Sequence, residues 1–254
     1  MTRRLKITPL EGLPEVRAGD RLGELIASAA RANEVQLADA DVLVVSQKVV
    51  SKAEGRTRRL AGVEPRERAA SLAAELEKDP RLVELILAET KRIVRAERGV
   101  LIVETVQGWV CANAGIDASN VPGDDTVVLL PEDADASARR MRAELEAAAS
   151  SRPAVIVADS FGRPWRLGQT DVAIGCAGIE PLDDWRGRED REGRELAATA
   201  IAVADELAAA ADLTRDKAAG IPAIRIRGAA PWVTAEDGPG AASLRRAEAD
   251  DLFR

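Results

Sequence analysis

The stretch VIVADSFGRPWRLGQTDVAIG (residues 155–175) places a dense set of polar side chains between two apolar runs. The apolar residues before Asp159 are typical of a buried strand. Asp159, Ser160 and Arg163 follow, and the chain turns apolar again after Asp171. Ligands commonly bind where polar groups converge at the end of a buried strand. We therefore expect a ligand site directly after this strand.

Helices and strands alternate on both sides of this stretch. The pattern predicts strands at 41–51, 126–130, 154–159 and 221–228, and a hairpin around Gln107-Gly108 within 98–115. It predicts helices at 21–35 with Asp20 as N-cap, at 64–79, at 81–90 after Asp79-Pro80, at 133–150 and at 195–212. This interleaving indicates an α+β fold with mixed sheets flanked by helices. We expect a domain over 1–228, with room for two subdomains, and a surface wrap or linker over 229–254.

The composition argues against several classes of protein. The 254 residues carry a net charge of -7, which disfavours binding to nucleic acid or anionic membranes. Aromatic residues make up only 2% of the chain, too few for platforms that stack single-stranded nucleic acid. The two cysteines cannot form a disulfide framework, and the sequence has neither a signal peptide nor an apolar run of membrane-spanning length. We therefore expect a cytoplasmic protein with reduced thiols.

The chain contains no histidine. This excludes Ser–His–Asp and Cys–His catalytic machinery, and a zinc site with imidazole ligands. A metal would be held by carboxylates, hydroxyls, carbonyls and water, and such hard oxygen donors select Mg²⁺, Mn²⁺ or Ca²⁺. Neither a Walker A motif nor a G-x-G-x-x-G motif opens a helix, so a nucleotide site would need a different construction.

Three segments share one pattern, in which apolar residues are followed by small residues and then by polar groups. They are SQKVVSKAEGR (46–56), CANAGIDASN (111–120) and the stretch around Asp159. Together they offer oxygen donors and cations, namely Asp117, Asp159, Ser160, Lys48, Lys52 and Arg56. One interpretation is a metal–nucleotide site. The alternative is structural, with the aspartates as turn caps, the lysines on a solvated strand face and the arginines in surface ion pairs.

Longer motifs add a family resemblance. GLPEVRAGD, VVSQKVVSKAEGR, KDPRLVELIL, CANAGIDASNV, LLPEDADASARR and DSFGRPWRLGQTDVAIG follow one another in this chain. In these motifs the chain resembles the coenzyme F420-0:L-glutamate ligases, the γ-glutamyl ligases of deazaflavin coenzyme biosynthesis. The resemblance implies a family-specific α+β fold and a homodimer. It also implies an enzyme that uses GTP and Mg²⁺ or Mn²⁺, with K⁺ as a further candidate ion, to add L-glutamate to the lactyl-phosphate side chain of F420-0 through an acyl phosphate.

The resemblance also implies roles for individual residues. Asp117, Asp159 and Ser160 match the family's metal ligands, and Asp159 would thereby be catalytic. The matching nucleotide contacts are Leu13, Pro14, Glu15, Val16, Gln47, Lys52 and Asn120. We add Arg163 and Arg166 as catalytic candidates, with Gln169 beside them, because guanidinium groups bind the carboxylates and phosphates of such substrates. The segment LTRDKAAGIP (213–222) departs from the family pattern, which is more apolar and contains glycine there.

Two other functions stay open from the sequence. One is a deazaflavin-binding module without ligase activity that presents the coenzyme to a partner domain. The other is a related metal–nucleotide ligase with a different acceptor, because function depends on the site rather than on the fold. The charged loop at 183–194 is where we would expect such a change of acceptor.

Overall fold

The computed structural model describes residues 4–118, 125–215 and 220–252. Its helices are α1 Leu22–Ala32, α2 Gln47–Ala53, α3 Glu67–Leu76, α4 Pro80–Ala88, α5 Ala134–Ala149 and α6 Val203–Asp212. Its strands are β1 Lys6–Leu10, β2 Val42–Ser46, β3 Thr57–Arg59, β4 Thr90–Glu97, β5 Val100–Thr105, β6 Val110–Ala112, β7 Thr126–Val128, β8 Ala154–Arg163, β9 Arg166–Ala177, β10 Asp183–Asp184, β11 Ala200–Ile201 and β12 Ala223–Arg227. The predicted α+β class is confirmed. Within the described ranges, no helix combines the length and the apolar character that a bilayer span requires.

A five-stranded sheet in the order β1-β12-β2-β8-β9 forms the centre of the molecule. The central pair β2 and β8 is parallel, and the other pairs are antiparallel. Residues of α1 and α5 pack on one face and residues of α6 on the other. Because both faces are covered, Val42–Val45 and the run from Ala154 to Ala158 are buried throughout.

Smaller sheets lie beside the central one. Strands β4, β5 and β6 form an antiparallel sheet whose apolar residues pack against α3 and α4. Strands β3 and β7 form a two-stranded ladder, which an isolated bridge between Asp117 and Val128 extends. Strands β10 and β11 pair near the predicted charged loop. The bridge at Asp117 fixes the backbone of a predicted metal ligand through two hydrogen bonds of 3.0 and 2.8 Å.

Several predicted elements are confirmed. Asp79 caps α4 by accepting a hydrogen bond from the backbone N–H of Arg81 at 2.8 Å, with Pro80 in the first turn. Asp133 caps α5 in the same way. The hairpin around Gln107-Gly108 is also present, since β5 pairs with β6.

Other predictions are wrong. The strand predicted over 41–51 ends at Ser46, and α2 begins at the next residue. The helix predicted over 195–212 begins only at Val203, because the segment before it includes β11. Strand β4 was not predicted, since its mostly exposed residues lack a clear alternation of apolar and polar side chains. Asp20 does not cap α1 and instead accepts a hydrogen bond from the backbone of Arg17.

The polar stretch around Asp159 is also not a loop that follows a strand. Strand β8 continues through Asp159 to Arg163, and a tight turn leads into β9. Its pairing with β2 stops at Ala158, which lies opposite Ser46. From Asp159 onward, β8 and β9 therefore form a two-stranded hairpin that projects beyond the carboxyl end of β2.

The segment 229–252, called the C-terminal segment here, contacts α5. The buried Arg142 donates hydrogen bonds to the carbonyl oxygens of Thr234 and Ala235 and forms an ion pair with Asp237 at 2.7 Å. Asp135 accepts hydrogen bonds from the backbone N–H groups of residues 241 and 242. These contacts place the segment against α5 from its first turn to its middle, while the division at residue 228 stays a prediction.

Candidate functional site

Asp159 lies at the point where the β8–β9 hairpin leaves the central sheet. Its side chain is partly buried, and burial raises its pKa from 3.8 to about 7. The negative charges of Asp171 and Asp117 contribute to this rise, whereas the backbone N–H of Ser160 and the charge of Lys48 oppose it. Burial is therefore the main reason that the Asp159 carboxyl group resists ionisation in the metal-free protein.

Lys48 connects α2 to the predicted metal ligand Asp117. Its ammonium group lies 2.8 Å from the Asp117 carboxylate, and both side chains are largely shielded from solvent. Lys48 reaches this position because β2 and β8 are parallel neighbours, so the start of α2 and Asp159 leave the sheet at the same edge. The alternative prediction of a solvated strand face for Lys48 is thus wrong.

Ser160 belongs to a hydrogen-bonded chain of three side chains on the face of β8 opposite the Asp159 carboxylate. Successive residues of a strand point to opposite faces, so the Ser160 hydroxyl leaves β8 on the side away from the Asp159 carboxylate. This hydroxyl donates to Asp171 Oδ1 at 2.6 Å. The guanidinium group of Arg215 donates to Asp171 Oδ2 at 2.7 Å, and Asp171 is almost fully buried. The structure does not bring the Ser160 hydroxyl and the Asp159 carboxylate together on one face.

Gln47 and Lys52 lie on α2 beside Lys48. The buried Gln47 accepts a hydrogen bond from the Ser51 hydroxyl at 2.9 Å, and its amide nitrogen has no partner among the described residues. A buried donor without a partner is costly, which suits a group that binds a ligand. Lys52 forms an ion pair with Glu15 at 2.6 Å, so it brings the loop between β1 and α1 to α2.

That loop contains the predicted contacts Leu13, Pro14, Glu15 and Val16. Val16 is buried in the core and Leu13 packs against it, while Pro14 and Glu15 are exposed. The structure therefore brings this predicted nucleotide-binding segment to the same helix as Gln47 and Lys52. Asn120, the remaining predicted nucleotide contact, lies outside the described residues.

Arg163 and Arg166 lie opposite each other at the tip of the β8–β9 hairpin, and both are exposed. Arg163 is four residues beyond Asp159, a separation of about 13 Å along a strand. It donates a hydrogen bond to the backbone of Leu167. Gln169 is also exposed on this hairpin. The structure thus does not bring these side chains to Asp159, and their role stays a prediction.

Sequence reasoning missed Asp171 and Arg215 as parts of the site. Asp171 was visible in the quoted stretch, but nothing in the sequence indicated that it pairs with Ser160 across the hairpin. Arg215 lies in the segment that departs from the family pattern, and its Nε and Nη2 groups are buried without a partner among the described residues. Cys111 lies near Asp159, where burial and then the Asp159 charge raise the pKa of its thiol to about 12. This thiol stays protonated, as expected for a structural cysteine.

The donor set fits a hard cation that also binds a phosphate-bearing substrate. No group of three or more acidic or cysteine side chains in the described ranges is arranged to hold a metal ion by itself. Mg²⁺ is typically bound by one or two carboxylates together with water and substrate phosphates. Asp117 and Asp159 supply two carboxylates, and a divalent cation beside them would offset the burial and the carboxylate repulsion that raise the pKa of Asp159.

Known proteins match the chain over nearly its whole length. A family model described as F420-0:Gamma-glutamyl ligase matches residues 12–228. A coenzyme F420:L-glutamate ligase from Methanothermobacter thermautotrophicus is 43% identical over 98% of this chain and 99% of its own length. A protein of the same name from Haloarcula marismortui is 46% identical over 88% of this chain and 87% of its own length. Another from Methanopyrus kandleri is 44% identical over 100% of this chain and 98% of its own length. The resemblance seen in the motifs is thus confirmed, and the chain belongs to the F420-0:gamma-glutamyl ligase family.

Proposed function

We propose that this protein is a ligase that adds L-glutamate to coenzyme F420-0 at the expense of GTP, and that it joins further glutamates through γ-linkages. The observation that carries the proposal is the similarity to proteins named coenzyme F420:L-glutamate ligase, at 43% identity over 98% of the chain in one case. The absence of histidine supports a reaction in which phosphorylation, rather than an imidazole base, activates the electrophile.

Asp117 and Asp159 would hold Mg²⁺ or Mn²⁺ in this enzyme, with K⁺ as a further candidate ion. Ser160 stays a predicted third ligand, although its hydroxyl lies on the other face of β8 and donates to Asp171. A divalent cation supplies charge neutralisation for the phosphate groups of GTP when it is bound. The raised pKa of Asp159 supports this role, since the carboxylate lies in an environment that favours its neutral form until a cation is present. Lys48 contributes a positive charge beside these carboxylates.

GTP would bind between α2 and the loop from Leu13 to Val16. The unpartnered amide nitrogen of Gln47 offers a hydrogen-bond donor, and Lys52 offers a positive charge beside that loop. Asn120 would complete the set. The Glu15 carboxylate that pairs with Lys52 is exposed, and an exposed ion pair of this kind contributes little free energy, so a phosphate can compete with Glu15 for the ammonium group.

The reaction would proceed in two steps. A carboxylate oxygen of F420-0 attacks the γ-phosphorus of GTP, the bond to the β-phosphate oxygen breaks, and GDP leaves. The glutamate amine then attacks the acyl carbon, the C–O bond to phosphate breaks, and an amide, phosphate and a proton are released. Arg163 and Arg166 would bind anionic groups of the acceptor or of glutamate, which requires the hairpin tip or a second protomer to approach the site. A homodimer is part of this proposal.

The proposal is tested by measuring phosphate release from GTP with purified F420-0, L-glutamate and Mg²⁺ or Mn²⁺, together with mass spectrometry of the coenzyme. We expect phosphate release that depends on the metal and on both substrates, and a coenzyme that gains glutamyl mass units. Coenzyme binding without either signal would favour the binding module, and GTP binding without any response to F420-0 would indicate another acceptor.

Matched variants and a mass measurement complete the test. Asp159→Asn and Asp117→Asn should abolish turnover, whereas the exposed Asp250→Asn should keep it. Wild-type turnover in Asp159→Asn would contradict the metal assignment. Light scattering coupled to size exclusion should give twice the mass of 27.0 kDa if the protein is a dimer.

A further inference from the structure

We propose that a cavity between Trp109 and the amino-terminal end of α5 binds the planar heteroaromatic ring of the acceptor. The cavity has a volume of about 280 Å³ and lies beside the C-terminal segment. This inference rests on the proposed function, because it assigns a place to the deazaflavin part of that acceptor. A small aromatic ring system is the ligand class that its size and lining fit best.

One wall of the cavity is made of aromatic and apolar side chains. Trp109 is half-buried and packs against the apolar residues on both sides of the central sheet. Leu130 and Ile174 are nearly fully buried and also line the cavity. A tryptophan ring on such a wall offers a stacking surface for a planar ligand.

Arg245 of the C-terminal segment lies over the Trp109 ring, with its guanidinium carbon 5.6 Å from the ring centre. It also donates a hydrogen bond to the backbone oxygen of Gln107. Because Arg245 is exposed, it can move outward and admit a flat ligand above Trp109 without a change in the core. The guanidinium group thus marks the place on the indole face where a second planar group fits.

Gln107 supplies a polar group with unmet bonding capacity. It lines the cavity, and its Oε1 atom is buried without a hydrogen-bond partner among the described residues. Its Nε2 atom makes only long contacts of 3.4 Å to Glu89 and to the backbone oxygen of Pro131. A buried carbonyl acceptor suits the ring N–H of a pyrimidinedione, the hydrogen-bonding edge of a deazaflavin.

The charged residues that line the cavity indicate which part of the acceptor binds there. Glu132, Asp133 and Asp135 line the cavity against Arg139 and Arg245, so its lining is net negative and disfavours a phosphate or a carboxylate. The planar ring fits this surrounding better than the phosphate-bearing side chain, which must extend elsewhere.

The position relative to Asp159 allows this arrangement. Trp109 is two residues before Cys111, which lies near Asp159, and this spacing corresponds to about 7 Å of extended chain. Ile174 is likewise two residues beyond Val172, the partner of Asp159 in the hairpin, which again gives about 7 Å. Trp109, directly before β6, and Ile174 on β9 therefore place the cavity next to the strands that carry the site, from which the phosphate-bearing side chain of the acceptor can extend toward Asp159.

The test is a binding titration with F420-0 and, separately, with its ring-bearing ribityl precursor that lacks phosphate and lactate. Trp109→Leu removes the stacking surface and Gln107→Leu removes the acceptor. Trp165→Leu is the matched control, because this tryptophan is 81% exposed at the hairpin tip. We expect both cavity variants to bind each ligand about tenfold or more weakly, with unchanged GTP affinity, and the control to bind as the wild type does.

The outcomes separate the two proposals. If the wild type forms glutamylated product but Trp109→Leu and Gln107→Leu keep wild-type affinity for the coenzyme, the cavity assignment is wrong and the ligase stands. If the wild type neither binds F420-0 nor forms product, the proposed function fails and this inference fails with it. If the variants bind F420-0 more weakly but bind the ribityl precursor as the wild type does, the ring lies elsewhere and the assignment is also overturned.

Discussion

Asp159→Asn should stabilise the metal-free protein, and the gain should grow with pH. Asp159 has a pKa of about 7 in the folded protein against an ordinary value of 3.8, mainly because it is buried. Between these two values the folded state holds a proton that the unfolded state has lost, so the free energy of unfolding falls as pH rises and levels off above pH 7. Asparagine has a similar shape and no charge to bury, so the variant escapes this loss.

The magnitude follows from the shift. Three pH units at about 1.4 kcal/mol each give a total of about 4 kcal/mol, of which about 3 kcal/mol falls between pH 5 and pH 8. Water that reaches the partly buried Asp159 carboxyl group reduces this free-energy difference, so we expect Asp159→Asn to gain about 1–3 kcal/mol of stability over the wild type between pH 5 and pH 8. For a protein of this size that corresponds to a rise of roughly 2–12 °C in Tm.

The assay is urea unfolding in EDTA at pH 5, 6, 7 and 8, with Asp250→Asn as an exposed control. Curves for the wild type and Asp159→Asn that stay parallel across this range would refute the raised pKa. Mn²⁺ provides a second test, because a bound cation removes the repulsion around the carboxylate. Mn²⁺ should raise the stability of the wild type at pH 8 and leave that of Asp159→Asn nearly unchanged.

Three further predictions concern other parts of the molecule. Gly175→Ala should lower the free energy of unfolding in urea by about 2 kcal/mol or more, because the added Cβ would overlap the Ala134 carbonyl at the start of α5. Gly162→Ala is the control, since its Cβ meets free space and should cost less than about 1 kcal/mol. Arg142→Met should cost about 3 kcal/mol and make the C-terminal segment sensitive to proteolysis, and equal cleavage rates would contradict its role as an anchor. Lys52→Met should raise the KM for GTP about tenfold without changing the KM for glutamate, and a change in the glutamate KM alone would remove Lys52 from the nucleotide site.

The sequence predicted most elements whose side chains have a clear period or cap. Asp79 and Asp133 marked the starts of α4 and α5 correctly, because capping depends on residues close in sequence. The boundary between β2 and α2 was missed, since Val49 and Val50 continue the β-branched run into the helix and only tertiary packing ends the strand at Ser46.

The sequence predicted which charged residues belong to the candidate site, but not how they pair in space. The motifs supplied Asp117, Asp159 and the cations of α2, which the structure does bring to one edge of the sheet. The pairing of Asp171 with Ser160 depends on the register of a hairpin whose turn the sequence did not reveal. Arg215 reaches Asp171 from 44 residues away in the chain, a contact that no local pattern encodes.

The charged groups of the site come together where the parallel pairing of β2 with β8 ends. Strand β2 pairs with β8 as far as Ser46 and Ala158, and the two chains then diverge, one into a helix that carries Lys48 and the other into a hairpin that carries Asp159. A parallel pair delivers both chains to the same edge, so opposite charges meet there without any sequence proximity. Because side chains alternate along a strand, a slip of one residue in this register would turn Asp159 away from Lys48 and Asp117. The buried apolar residues before Asp159 therefore help to determine where the charged groups meet, since their burial specifies the register of β8 against β2.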